Sequence, residues 1–167
     1  MQGLQLNVFI PFMAAIGLLS ACAGESAPEK AFIGTWVQDT PYSTTDKGLQ
    51  TTTSDTVLRL KKNGETHLSR KLDIFDINGR DLPKTGILVN VELRGYWELV
   101  DGNLRQTPDS VLVIPRSTDE KTREWADKLQ TQAEQSSASE KTIISVDKKQ
   151  LILQDIATGT TDVYRRK

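Results

Sequence analysis

The residues that could carry chemistry are few, because this chain of 167 residues contains one histidine and one cysteine. Zinc sites combine several His and Cys ligands, so a zinc centre is not expected. A catalytic triad would hold His67 between a serine and a carboxylate, and nothing in the sequence predicts that arrangement. Residues 76–81 have the carboxylates of a calcium loop, but the spacing differs and no bidentate glutamate follows at the required position. We therefore predict that the protein is not an enzyme and needs no metal or cofactor.

The cysteine ends the segment Leu19-Ser20-Ala21-Cys22, which closes a mostly apolar run over residues 8–19. This run is too short to cross a hydrocarbon core, which takes about 20 residues. It suits the apolar region of a signal peptide, and small residues follow it as a cleavage site requires. A buried helix that ends in a cysteine is the alternative, but residues 1–21 are uncharged and the chain turns polar immediately afterwards. The four residues resemble the lipobox of bacterial lipoproteins.

This resemblance implies that residues 1–21 are removed and that Cys22 carries a diacylglycerol and a further acyl chain. Two or more chains anchor stably where one does not, since each buried methylene contributes about 0.8 kcal/mol. Residues 22–30 are then a polar, flexible tether. No aspartate follows Cys22, which in enteric lipoproteins implies the outer membrane, here with the domain facing the periplasm. Residues 1–7 lack the usual Lys or Arg; either the α-amino group of Met1 supplies the charge, or the true start lies elsewhere.

The charge balance of the chain argues against nucleic acid as a partner. The chain carries 21 basic and 22 acidic side chains, a formal net charge of −1, and therefore has no basic field that would attract nucleic acid. With the only cysteine assigned to lipid, the domain has no disulfide. Its stability must come from apolar burial and backbone pairing.

The clearest hairpin lies within residues 57–72 and turns near an Asn-Gly pair. A two-residue loop would pair Leu58 with Ser69, a poor match. A three-residue loop pairs Leu58 with Leu68 and creates one apolar face. We predict the three-residue loop with a glycine bulge, which places His67 on the opposite, solvated face.

Apolar and β-branched runs bounded by turn residues predict the other strands. These cover residues 31–37, 72–77, 87–99, 103–107, 110–114, 142–146, 150–155 and 160–165. Gly95 is predicted to form a bend or bulge, and a two-residue loop should pair Leu99 with Leu104. Residues 40–56 are rich in Thr, Ser and Asp and are predicted as a long loop, which is either functional or a linker of no consequence.

One segment has a helical period. Ser117 precedes Glu120 by three residues, as in a capping box, and Trp125 and Leu129 then form an apolar seam. The predicted fold is therefore mostly β. It is an antiparallel up-and-down barrel of eight or nine strands, with one inserted amphipathic helix near residues 119–135.

Residues 31–167 resemble the lipocalin-like (calycin-type) domains of bacterial envelope lipoproteins. Lipocalins carry a Gly-x-Trp on the first strand, matched here by Gly34 and Trp36, and an arginine of the last strand packs over the Trp ring. The resemblance implies that Arg165, or its neighbour Arg166, has that role through a cation–π contact. A second Gly-x-Trp, at Gly95 and Trp97, and the inserted helix depart from the family pattern. Both tryptophans are expected to fill the core rather than contact a ligand.

Two functions are compatible with a lipid-anchored barrel. A barrel of about eight strands can hold one small ligand or be filled by its own side chains, so the first hypothesis is a noncatalytic binding protein for a small apolar ligand. The second is an interaction module for an envelope protein, such as a stress sensor, an assembly factor or a hydrolase inhibitor. Stress-sensing lipoproteins of this type carry a Cys-x-x-Cys after the first strand, which residues 40–56 lack.

Overall fold

A computed structural model describes residues 29–38, 40–46, 48–78, 82, 86–135 and 138–167. The predicted signal peptide, Cys22 and nearly all of the predicted tether lie outside these residues. A 3₁₀ turn at Glu29–Ala31 precedes the sheet. The strands are β1 (Gly34–Gln38), β2 (Tyr42–Asp46), β3 (Leu49–Leu60), β4 (Glu65–Asp76), β5 (Ile87–Val100), β6 (Asn103–Pro115), β7 (Ser139–Val146), β8 (Gln150–Asp155) and β9 (Thr161–Arg166). One helix, α1 (Glu120–Glu134), lies between β6 and β7.

The strands form one antiparallel sheet in which strands adjacent along the chain are adjacent in space. The exception is β1, which does not pair with β2. It pairs instead with β3 and β9, and this closes the sheet into a ring. Strand β2 pairs with β3 outside this ring, so the molecule is a closed eight-stranded barrel with one extra strand. The predicted fold class is confirmed. In the part of the chain that the structure describes, no helix is long and apolar enough to cross a membrane.

The β3–β4 hairpin has the predicted register. Leu58 lies opposite Leu68, and the N–H of Gly64 closes a three-residue loop by donating to the carbonyl of Lys61 at 3.1 Å. Gly64 adopts a φ of 81°, a left-handed conformation that favours glycine. Leu58 is 1% exposed, so the alternation correctly predicted which face is inside.

The prediction of a long loop over residues 40–56 is wrong, because the segment forms the hairpin β2–β3. Its threonines are β-branched and suit a pleated strand, and the hydroxyls of Ser43 and Thr52 are 2.8 Å apart across the pair. The composition resembled a loop because most of these side chains are polar rather than apolar.

The two strands predicted over residues 103–114 are one strand, β6. Its pairing with β5 shifts by one residue where Asp109 bulges opposite Gly95. A Cβ atom on Gly95 would lie 2.1 Å from the carbonyl oxygen of Thr107, so only glycine fits beneath the bulge. The predicted irregularity at Gly95 is confirmed. Leu99 also faces Leu104 as predicted.

The helix has nearly the predicted bounds, but its N-cap is Asp119 rather than Ser117. The Asp119 carboxylate accepts a hydrogen bond from the N–H of Thr122 at 2.9 Å, which satisfies one free donor of the first turn. Ala126 is 2% exposed and sits on β5 and β6 with Trp125 and Leu129 beside it.

The interior contains two apolar clusters at different heights. The first fills the closed end of the barrel around Trp36. The second lies between the extended ends of β4–β6 and the helix, around Val89. Their buried members are Phe32, Trp36, Leu58, Leu60, Trp97, Leu104, Leu151, Leu153 and Tyr164 in the first, and Ile74, Ile87, Val89, Val113 and Ala126 in the second.

Candidate ligand-binding cavity

The closed end of the barrel is organised around Trp36, which is fully buried. Its indole N–H donates to the carbonyl of Phe32 at 2.7 Å. The guanidinium of Arg166 lies 4.2 Å from the centre of its ring and donates to the carbonyls of Ile33 at 2.8 Å and Ala31 at 2.6 Å. This arginine therefore ties the last strand to the segment that enters the first.

Of the two candidates for this contact, Arg166 occupies the position and Arg165 does not. Arg166 is the cross-strand partner of Trp36 and points inward with it, whereas Arg165 is exposed on the outer face. A Cβ atom on Gly34 would lie 2.7 Å from Nη1 of Arg166, so the glycine of the Gly-x-Trp motif leaves room for the guanidinium.

The second Gly-x-Trp contributes to the same closed end. Trp97 is 5% exposed, and its indole N–H donates to the carbonyl of Lys61 at 2.9 Å. Its ring centre lies 6.4 Å from that of Phe32. Trp36 and Trp97 thus both belong to the first apolar cluster, at the closed end of the barrel, which we call the floor.

A cavity of about 260 Å³ lies above this floor, inside the barrel. One wall is largely apolar and comes from β4, β5, β6 and the end of α1. It consists of Leu68, Val91, Leu93, Pro108, Val111 and Ala133. The remaining lining residues are polar or aromatic and come mainly from the other strands: Gln38, Tyr42, Thr53, Thr56, Arg70, Gln106, Ser139, Lys141, Asp155, Asp162 and Tyr164.

Two carboxylates and one ammonium group meet at one side of the cavity. Lys141 forms an ion pair with Asp162, which is 4% exposed, and Lys141 is also the cross-strand partner of Asp155. Burial alone would raise the pKa of Asp155, but hydrogen bonds from Thr158 and the nearby Lys141 lower it below its usual value. Lys141 is therefore neutralised by the protein itself.

Tyr164 and Arg70 complete the charged and polar lining. Burial, with a smaller effect of Asp162, raises the pKa of Tyr164, so its phenol is neutral over the whole physiological range. Arg70 lies close enough to favour the phenolate. No carboxylate of the described residues is within salt-bridge distance of Arg70, which distinguishes it from Lys141.

Three polar atoms of the lining are buried without a hydrogen-bond partner among the described residues: Oε1 of Gln38, Oγ1 of Thr56 and Nε of Arg70. Thr56 is 3% exposed. A buried polar group without a partner costs about 1–3 kcal/mol, so native proteins rarely leave one without a ligand, ion or water as partner. All three atoms belong to residues that line one cavity.

The helix seals the barrel wall beside this cavity. Strand β6 pairs with β7 only over Asn103–Gln106, and beyond that point the side chain of Gln130 replaces the missing strand. Its amide accepts from the N–H of Val113 at 2.8 Å and donates to the carbonyl of Val111 at 2.6 Å. The predicted seam residues Trp125 and Leu129 pack on the second apolar cluster and do not line the cavity, whereas Ala133 lines it.

His67 lies on the outer face of the barrel, away from the cavity. Arg59 donates to its Nδ1 at 3.0 Å, which places the proton of the neutral ring on Nε2. That nitrogen lies 3.8 Å from a carboxylate oxygen of Glu92. The described residues contain no group of three His, Cys, Asp or Glu side chains that could hold a metal ion.

No protein-family model matches the chain, and no curated protein matches it. Among solved structures, the chain is similar to an uncharacterized protein from Bacteroides eggerthii DSM 20697. The two share 13% sequence identity, and the match covers 81% of this chain and 99% of that one with a TM-score of 0.45.

Sequence reasoning did not single out the polar lining residues. Arg70 was detectable, because the register that buries Leu68 and Leu72 also points residue 70 inward. Gln38 follows Trp36 by two positions and so shares its inward face. Thr56 could not be recognised as a lining residue from the sequence, because the bulge in β3 between Ser54 and Val57 changes the alternation there.

Proposed function

We propose that the protein is a noncatalytic binding protein that holds one small ligand of mixed polarity inside its barrel. The observation that carries this proposal is the interior cavity with unpartnered buried polar atoms on Gln38, Thr56 and Arg70. A barrel packed for stability alone would fill this space with apolar side chains, as the floor around Trp36 is filled.

The lining changes the kind of ligand that the sequence predicted. A wholly apolar ligand would satisfy Leu93 and Val111 but would leave the polar atoms of Gln38, Thr56 and Arg70 without partners. Ligand sites typically combine an apolar lining with a few placed polar groups. A ligand with one apolar and one polar end therefore fits this cavity better.

We further propose that the domain is held at the outer membrane through a lipidated Cys22 and faces the periplasm. This proposal rests on the lipobox at Leu19–Cys22 and on the polar tether after it. Replacing Cys22 with Ala should move the chain from the membrane fraction to the soluble fraction. A variant that still fractionates with membranes at high salt would count against the anchor.

Native mass spectrometry tests the binding function. The full chain, purified without denaturant, should carry an additional mass that is released on unfolding. The matched control is Val91→Trp, which fills the cavity from its apolar wall and should purify without this mass. Circular dichroism and thermal unfolding of the variant establish that it is folded. A wild-type protein that is empty, or a Val91→Trp variant that carries the same molecule, would argue against an interior site.

An interaction module is the second candidate, and exposed apolar side chains on the outer face of β6 favour it. Leu112 is 51% exposed and Ile114 is 37% exposed. Crosslinking in envelopes through a photoreactive residue at position 112 would test this surface, with position 107 on the same strand as the control. Recovery of no specific adduct from position 112 would count against the module.

A further inference from the structure

We propose that the ligand is a small amphiphilic anion whose negatively charged group is held by Arg70, with a short alkyl chain against the apolar wall. This inference rests on the proposed binding function and names the chemical class of the ligand. The surroundings of Arg70 are the main observation behind this inference.

Arg70 is an unusual occupant of its strand. It lies between Leu68 and Leu72 on the inward face of β4, opposite Val91 on β5. Arg70 is half-buried, so its charge is partly removed from water, which is costly unless a counter-charge is present. Every other inward-facing basic residue of the described barrel has its partner within the chain: Lys141 pairs with Asp162, and Arg166 binds two carbonyls and stacks on Trp36.

The geometry of arginine selects the counter-charge. A guanidinium presents its donors in a planar fork that matches the two oxygens of a carboxylate or the oxygens of a phosphate. Arg70 lines the cavity, and its Nε is buried and has no acceptor among the described residues. The hydroxyl of Thr56, also buried and unpartnered, can donate to the same anion.

The oxygen of Gln38 adds a requirement for a donor. Oε1 can only accept a hydrogen bond, and it too is unpartnered. A ligand that carries a hydroxyl or amine beside its anionic group would satisfy it. Hydroxy acids and related amphiphiles have this arrangement, whereas a simple acid leaves Gln38 to a water molecule.

The volume limits the length of the apolar part. Sites for drug-sized ligands measure about 300–1,000 Å³, and the cavity here measures about 260 Å³. The apolar wall from Leu68 to Val111 accommodates a chain of medium length. A long-chain lipid would extend beyond this volume.

Isothermal titration calorimetry of the full chain with sodium octanoate and with octanol tests the inference. Octanoate should bind, and octanol, which lacks the charge, should bind about ten- to a hundred-fold more weakly, as expected for the loss of a charge-assisted hydrogen bond. 3-Hydroxyoctanoate should bind more tightly than octanoate because its hydroxyl can donate to Gln38.

Variants locate the anion. Arg70→Gln should lower the affinity for octanoate about ten- to a hundred-fold and leave octanol unchanged. The ligand-free Arg70→Gln protein should melt at the same or a higher temperature, because an unpaired inward charge has been removed. Arg94→Gln removes an exposed arginine from the outer face of β5 and should change neither affinity. Should Arg70→Gln fail to fold, Arg70→Lys keeps the charge but loses the fork, and should retain only part of the binding.

The outcomes separate this inference from the proposed function. Equal binding of octanoate and octanol, or octanoate binding that survives Arg70→Gln, overturns the anionic class but leaves an interior site in place. Absence of binding by all three probes also overturns the inference, and native mass spectrometry then decides independently whether the cavity holds another kind of molecule.

Discussion

At the scale of single residues, two inward-facing arginines have different surroundings: Arg166 binds the segment that enters the first strand, whereas Arg70 faces the cavity. Arg166 has two carbonyl acceptors and an aromatic ring as partners. Arg70 has none of these among the described residues, although it also points inward. Nε of both arginines is buried without a hydrogen-bond partner among the described residues, so the difference lies in the terminal nitrogens of Arg166, which bind the two carbonyls. We propose that Arg166 is structural for this reason and that Arg70 is functional.

Replacing Arg166 with Ala should lower the free energy of unfolding by about 2–3 kcal/mol. The change removes charge-assisted hydrogen bonds and a cation–π contact and uncovers Trp36. Urea titration monitored by tryptophan fluorescence measures the loss. Arg165→Ala removes the same charge from the outer face one residue earlier and should cost clearly less. Equal costs for the two variants would contradict the assignment of the cap to Arg166.

Asp147 gives the fold a pH dependence at the β7–β8 turn. Backbone hydrogen bonds from Lys149 and Gln150 lower the pKa of its carboxyl group. Since the folded-state pKa is below the unfolded value of about 3.9, the carboxylate stabilises the fold above about pH 4. This contribution is lost as the pH falls through the folded-state pKa.

The difference in unfolding free energy between wild type and Asp147→Ala should therefore be larger at pH 6 than at pH 2. Denaturant titrations at several pH values measure it. Lys148→Ala in the same turn is the control, because it removes no carboxyl group and its effect should not follow this profile. A constant difference for Asp147→Ala across this range would contradict the role of its carboxylate.

At the scale of elements, α1 replaces a strand. It contributes little to the first apolar cluster, but the side chain of Gln130 binds the free edge of β6 as a neighbouring strand would. The helix therefore closes the stretch of the wall where β6 and β7 separate. Sequence periodicity predicted its apolar seam at Trp125 and Leu129, but not this polar contact.

Gln130→Leu should destabilise the protein by about 1–3 kcal/mol, because it leaves the N–H of Val113 and the carbonyl of Val111 without partners. It should also speed amide exchange at Val113, since the edge of β6 would be uncovered. Hydrogen exchange followed by NMR measures both effects. Gln132→Leu makes the same change on the exposed face of the helix and should alter exchange at Val113 little. Unchanged protection in Gln130→Leu would show that the helix does not hold this edge.

Much of the barrel could be predicted from sequence, because alternation determines which face of a strand is buried. The pairing of Leu58 with Leu68 and the bulge at Gly95 follow from this rule and from the needs of glycine. The β2–β3 hairpin could not be predicted in this way, since its threonines alternate without a contrast in polarity. Arg70 was missed as a site residue because an inward-facing charge contradicts the expectation of an apolar interior.

At the scale of the whole molecule, the barrel has a packed floor and, above it, a cavity beside the second apolar cluster. The floor holds Trp36, Trp97 and most of the largest buried side chains. The cavity has one largely apolar wall, and its other lining residues are polar or aromatic. This arrangement is compatible with the proposed binding function, since the packed floor is separate from the proposed ligand site.

The most direct test of the account is an NMR titration of the full chain with octanoate, followed through the methyl signals. We predict saturable shifts for Leu93 and Val111, which line the cavity, and no shifts for Leu112 and Ile114, which point outward from β6. Shifts confined to the outward methyl groups, or no saturable shift of the inward ones, would contradict a ligand site inside the barrel.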